Sequence, residues 1–207
     1  MKKNKGLMFS LGMSVFIACF FSLYFFTQTN SGDDANVVTS SVSEPNETKP
    51  ANDYKWQGSP MDPKKIIIPK ISVDSFVQKV GTDANKQIAV PDNLFDVGWF
   101  VGSAKPGDNG LSVIDGHVTG RINDGVFKNL DKLQAGDQFS IQFGNGSIKK
   151  FEVISKSSVL EKNSLGVIFS QDRKVSSQLN LVTCSGQFDD ESRTYSERLV
   201  VASERIE

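Results

Sequence analysis

Apolar and polar positions divide the chain into three stretches of different character. The first is an uninterrupted uncharged run from Gly6 to Phe26, 21 residues that would measure ~32 Å as a helix, enough to cross a bilayer core once. The second, from Asn30 to about Pro60, is mainly Ser, Asn, Asp, Thr, Glu and Pro with scattered Val, and cannot bury enough apolar surface to offset its ordering entropy. The third alternates apolar and polar residues with period two or gathers them in short apolar runs: Lys64 to Ile68, Ser72 to Val80, Gly110 to Ile114, Gln138 to Phe143, Ile148 to Ile154, Asn180 to Cys184 and Arg198 to Ala202. These are predicted strands. Turn chemistry separates several of them, at Pro106 to Gly110, at Ala135-Gly136-Asp137, and at Gly144-Asn145-Gly146, a strong hairpin signal. Helical periodicity is faint, with its best case at Asp124 as a cap followed by Phe127, Leu130 and Leu133 and ended by Gly136. Many short strands without long helices predict an all-β barrel or sandwich.

Lys2, Lys3 and Lys5 precede the apolar run, so the positive-inside rule keeps that end in the cytoplasm and puts everything after Thr27 outside the cell. A cleaved signal peptide would need a shorter apolar stretch and a small-x-small site, whereas this one continues to Phe26. Phe16-Ile17-Ala18-Cys19 resembles a lipoprotein processing box only loosely, because the apolar run passes beyond Cys19. The expected organisation is a cytoplasmic tip and transmembrane signal anchor over 1–29, a disordered extracellular linker over 30–60, and one folded domain over 61–207. Asn46-Glu47-Thr48 matches a glycosylation acceptor pattern and is read as linker composition.

Composition narrows the chemistry. Among 207 residues, 23 Lys and Arg nearly cancel 24 Asp and Glu, so no electrostatic surplus points to nucleic acid. Two cysteines and a single histidine leave too few ligands for a zinc site built from Cys and His. With Cys19 inside the membrane, Cys184 has no disulfide partner in the exported domain. An unpaired exported thiol is either a small buried hydrophobe or a reactive group. Its context favours the second: Leu181-Val182-Thr183-Cys184 is an apolar strand that ends at the Cys and passes into a polar loop.

His117 ends a similar unit, Leu111 to Gly116, and is the only imidazole available to favour a thiolate and later protonate a leaving amine. Its alternative is a loop residue hydrogen-bonded for structure. A thioacyl intermediate forms through a tetrahedral oxyanion, which a fixed guanidinium stabilises without changing its own protonation. Arg198 opens the apolar strand Leu199 to Ala202, and a hairpin from the Cys184 strand would bring it alongside. Arg193 lies in a polar connection and is read as solvated, and Arg205 sits near the terminus, where fraying is the default.

In this order the pattern resembles the sortase family, the cysteine transpeptidases that attach proteins to the Gram-positive cell wall. The resemblance covers the whole ectodomain. It is carried by Ile66 to Ile71, Val97-Gly98-Trp99-Phe100, Lys105 to Gly110, Ile114-Asp115-Gly116-His117, Val126 to Leu130, Gly136-Asp137, Leu181 to Cys184 and Glu197 to Ala202. It implies an eight-stranded β-barrel with short helical turns, with His117 as general acid/base, Cys184 as nucleophile and Arg198 as oxyanion or substrate-backbone donor. It also suggests Thr183 and Trp99 as substrate-binding residues. Substrates would be surface proteins bearing an LPXTG-like sorting signal, cut between Thr and Gly, and acceptors an amine of a peptidoglycan precursor or a pilin lysine. Ser185 to Phe188 and Gly98 to Phe100 look closer to class E or F members than to the staphylococcal class A type.

No cofactor is expected. Asp115, Asp124, Asp189, Asp190 and Glu191 are read as solvated loop charges rather than as a calcium site. L,D-transpeptidases place a His close before the Cys, and papain-type or NlpC-type peptidases put the Cys first in the chain on a helix N-terminus. Neither matches His117 followed by a strand-end Cys184. A non-catalytic membrane-tethered β-domain that binds peptide or wall polymer is the remaining alternative.

Overall fold

The computed structural model describes residues 37–39, 44–49, 56–84 and 86–207. Among the described residues nine strands form one sheet: β1 Val37–Val38, β2 Pro63–Ile68, β3 Val73–Val80, β4 Val97–Phe100, β5 Gly110–Gly116, β6 Gln138–Phe143, β7 Ile148–Leu160, β8 Ser177–Asp189 and β9 Thr194–Arg205. Their order is β1-β3-β2-β6-β7-β9-β8-β5-β4, and a parallel pairing of β3 with β4 closes β2 to β9 into an eight-stranded barrel. Closure removes the open sheet edges that strands of this polarity would otherwise expose.

Alternation decides what lies inside. Ile66 and Ile68, Phe139, Ile141 and Phe143, Phe151 and Val153, Leu179 and Leu181, and Leu199 and Val201 all belong to one buried cluster. Residues two apart on a strand share a face, so one side of each strand fills the interior. Each such side chain contributes about 1.5–3 kcal/mol relative to exposure. Phe127, Leu130 and Leu133 are fully buried in the same cluster, and only Leu130–Lys132 of the expected helical stretch forms a 3-10 turn. The Asn145-Gly146 signal is a true hairpin turn: Gly146 takes φ +84° and donates to the Phe143 carbonyl at 2.9 Å.

The apolar run 6–26, with its predicted span, lies outside the described residues. Among the described residues no helix is long and apolar enough to cross a membrane. Within 30–60, described segments make specific contacts. Val37–Val38 pairs in parallel with Lys79 and Val80, and the Glu47 carboxylate accepts backbone N–H bonds from Arg121, Ile122 and Asn123. The expectation of disorder weighed apolar side chains and left out backbone ladders and a carboxylate aimed at three amides.

Candidate active site

β5 runs parallel to β8, with Gly110 beside Ser177 at one end and Asp115 beside Val182 at the other. Continued by two positions, that register brings His117 level with Cys184. β9 runs antiparallel on the other side of β8 and sets Arg198 directly across from Cys184. Ile114, Leu181 and Leu199 belong to the barrel interior, so Asp115, Val182, Cys184 and Arg198 point outward by alternation.

The outer face there is not bare. Val113, Val182 and Val200 form a second apolar cluster with Ile168 of the short helix α1, Ser164–Ile168, and Ile88, Phe100, Leu111 and Val167 pack against it. Two outward side chains of β8 anchor the connection that carries α1. Asn180 Nδ2 donates to the Ile168 carbonyl at 2.8 Å, and Gln178 Nε2 donates to Ser170 O and to Asn180 Oδ1, both at 2.9 Å. The result is an apolar floor with a wall, ending at the thiol. α1 has only five residues, too few to leave a periodic signal in the sequence.

Cys184 is a partly exposed free thiol. Burial pushes its pKa up; the Arg198 guanidinium pulls it down, while Asp115 and Glu161 push it up further. Burial lowers the pKa of His117, opposed by a hydrogen bond to the Pro91 carbonyl. That bond, Nε2 to Pro91 O at 2.8 Å, fixes the neutral tautomer. A carbonyl only accepts, so Nε2 carries the hydrogen and Nδ1 keeps its lone pair. Both shifts favour a neutral thiol and a neutral imidazole at rest.

Arg198 is held in place. Its Nη1 donates to the carbonyls of Tyr195 and Glu197, both at 3.0 Å, and its Nη2 to Thr194 Oγ1 at 3.3 Å. Glu161 lies 3.8 Å from the same Nη2. Arg193, by contrast, is exposed and contacts Glu44 at 3.9 Å, and Arg205 donates to the Gly107 and Glu207 carbonyls.

Three expectations need correction. Trp99 is not a substrate-facing residue: it lies in the barrel interior, 7% exposed, with its indole N–H donating to the Ala104 carbonyl. Thr183 is buried too, and its Oγ1 donates to the Gly116 carbonyl at 2.7 Å, tying the Cys184 strand to the strand leading to His117. Asp115 is no solvated loop charge; it is a buried residue of β5. Asp124, Asp189, Asp190 and Glu191 are exposed, and among the described residues no group of three or more His, Cys, Asp or Glu is arranged to hold a metal ion.

Residues 66–206 match the family model of the sortase domain. Among solved structures, Sortase A from Corynebacterium diphtheriae is 26% identical with a TM-score of 0.53, the match covering 73% of this chain and 63% of that one. A Sortase D5 transpeptidase from Clostridium perfringens is 26% identical with a TM-score of 0.52, over 70% of this chain and 79% of that one. Sortase C1 of Streptococcus agalactiae, 23% identical with a TM-score of 0.52 over 69% of this chain and 66% of that one, shares the fold. No match was found among curated proteins.

Proposed function

The chain belongs to the sortase family, and from that premise we propose that it is a membrane-anchored extracellular cysteine transpeptidase acting on an LPXTG-like sorting signal. Residues 6–26 anchor it with the N-terminus cytoplasmic, 30–60 lead away from the membrane, and 61–207 carry the chemistry. The likeness of Ser185 to Phe188 and of Gly98 to Phe100 to class E or F members supports that subclass.

The observation that carries this reading is the direct pairing of Cys184 with Arg198, beside the parallel strand end that leads to His117. With thiol and imidazole neutral at rest, His117 Nδ1 takes the thiol proton as Cys184 Sγ attacks the carbonyl of the signal's Thr. Arg198 faces the oxyanion, and its bonds to strand carbonyls hold it there without reorganisation. The imidazolium protonates the departing glycine amine, leaving a thioester on Cys184. An amine deprotonated by His117, from a peptidoglycan precursor or a pilin lysine, then attacks the thioester and restores the thiol.

The test mixes the full chain with a sorting-signal peptide and hydroxylamine. A hydroxamate forms, and Cys184→Ala abolishes it, with the variant's stability changed by less than about 1 kcal/mol. A folded wild-type chain that binds the peptide and releases no hydroxamate is a binding module, and the reading falls.

A further inference from the structure

The acyl transfer uses a thiol, an imidazole and a guanidinium, and leaves unused a carboxyl that lies beside them. Asp115 on β5 has Gly98 of β4 as its partner on one side and Val182 of β8 on the other. Its side chain therefore shares the outer face with Cys184, one step along the neighbouring strand. The residue is 9% exposed, and its Oδ1 has no hydrogen-bond partner. Gly98 is what admits it: a Cβ there would come within 2.5 Å of Asp115 Oδ1 and 2.8 Å of Val80 Cγ1. β3 and β4 thus offer this carboxyl a valine and a bare glycine, neither of them a cation.

An ionised carboxylate with an unpaired oxygen in such surroundings is strongly disfavoured, and the group keeps its proton instead. Burial pushes Asp115 well above the ordinary carboxylate range, and its own backbone N–H draws it back only in part. The influence extends to the nucleophile, because a charge on Asp115 opposes ionisation of Cys184, as Glu161 does from the turn after β7 and against Arg198 on β9. Two further titratable neighbours are His117, two residues along the same strand end with its Nε2–H committed to Pro91, and Tyr195 on β9, whose phenol is pushed up by burial and then by the charge on Cys184.

We propose that Asp115 and Cys184 form a coupled acid pair on the outer face of the barrel: a proton on the carboxyl favours ionisation of the thiol, and loss of that proton weakens the nucleophile. Two like charges on adjacent strands, both shielded from water, disfavour each other, so the pair titrates as a unit. Asp115 acts through the thiol and is a positioning residue rather than a catalytic one. The proposal rests on Cys184 being the nucleophile and deepens that reading by giving the site an alkaline limit set by a carboxyl.

The test is the pH profile of Cys184 alkylation by iodoacetamide in the full chain, with peptide mass mapping to separate Cys184 from Cys19. Asp115→Asn, neutral at every pH, is expected to react roughly tenfold faster near about pH 9, the equivalent of about one pH unit in the thiol, and to converge with the native chain towards about pH 6. Superimposable profiles, slower alkaline reaction in the variant, or a gain undiminished at low pH would each overturn the pair. Should Asp115→Asn fail to fold, carbon-13 NMR of the Asp115 carboxyl gives the reciprocal measurement. Its titration midpoint coincides with a second inflection in the native chain's Cys184 alkylation profile if the pair is coupled, and a profile with a single inflection contradicts it. Alkylation needs no peptide substrate. A shifted profile without hydroxamate defeats only the transpeptidase reading, and hydroxamate with an unshifted profile defeats only the pairing.

Discussion

The two faces of β8 follow opposite rules within the same few residues. Inward, Leu179 and Leu181 are fully buried among other apolar side chains, and the Thr183 hydroxyl has its partner in the Gly116 carbonyl. Outward, Gln178 and Asn180 spend their amides on the α1 connection, and Cys184 meets Arg198, Asp115 and Glu161 as charges rather than as packing partners. The inner face makes the position of the strand insensitive to what the outer face does. Such an arrangement allows titratable groups to be buried at a reactive site, since the cost of desolvating them is borne by a core that does not involve them.

Substitutions on the two faces should therefore separate turnover from stability. After Cys184 itself, the largest effect is expected at Arg198: Arg198→Ala lowers hydroxamate turnover about 10²–10³-fold with little change in thermal midpoint, as loss of an oxyanion donor does, and Arg198→Lys recovers only part of it. Equal loss on Arg193→Ala in single-turnover assays would move the oxyanion role elsewhere. On the inner face, Leu181→Ala costs about 3 kcal/mol in urea unfolding while Cys184 alkylation in the folded state stays as in the native chain. A changed thiol reactivity at unchanged fold would mean that the faces are not independent.

A smaller effect concerns Asp96, 2% exposed just before β4, with Gln78 Nε2 donating to its Oδ2 at 3.0 Å and its Oδ1 unpartnered. Burial raises its pKa to about 6, with Gln78 lowering it and Asp92 raising it. The folded chain therefore holds a proton that the unfolded chain has lost, and stability falls as pH rises from about 4 through about 6. Asp96→Asn is expected to gain on the order of 2 kcal/mol at about pH 8 and nothing at about pH 4, read as the difference between two urea titrations. The smallest expected change is Thr183→Val, about 1 kcal/mol from the lost bond to Gly116, with Thr183→Ser restoring it.

Much of this was legible in the sequence where both alternation and scarcity spoke. Gln138 to Phe143 is a strand with the predicted ends, and the single His follows the end of β5 as expected, whereas Cys184, expected to end its strand, lies inside β8. What could not be read had physical reasons. β8 and β9 run on past Cys184 and Arg198 to Asp189 and Thr194 through residues with no apolar alternation, because that hairpin is held by its ladder and an edge-on Phe188–Tyr195 contact rather than by a core. Trp99 sits in a short strand whose inner and outer residues are both buried or half-buried, so composition gave no sign of which way the indole points. Asp115 was misread because a charge before Gly-His looks like a loop residue, and only the bare backbone of Gly98 across the ladder makes room for it.

The proposed cycle requires that Cys184 become acylated. Intact mass analysis of the full chain after brief mixing with a sorting-signal peptide, followed by peptide mapping, tests it most directly. The expected added mass is that of the peptide up to and including its Thr less one water, located on the fragment that contains Cys184 and absent from Cys184→Ala. An adduct on any other residue, or product formation through an enzyme that never carries acyl mass at Cys184, would contradict it.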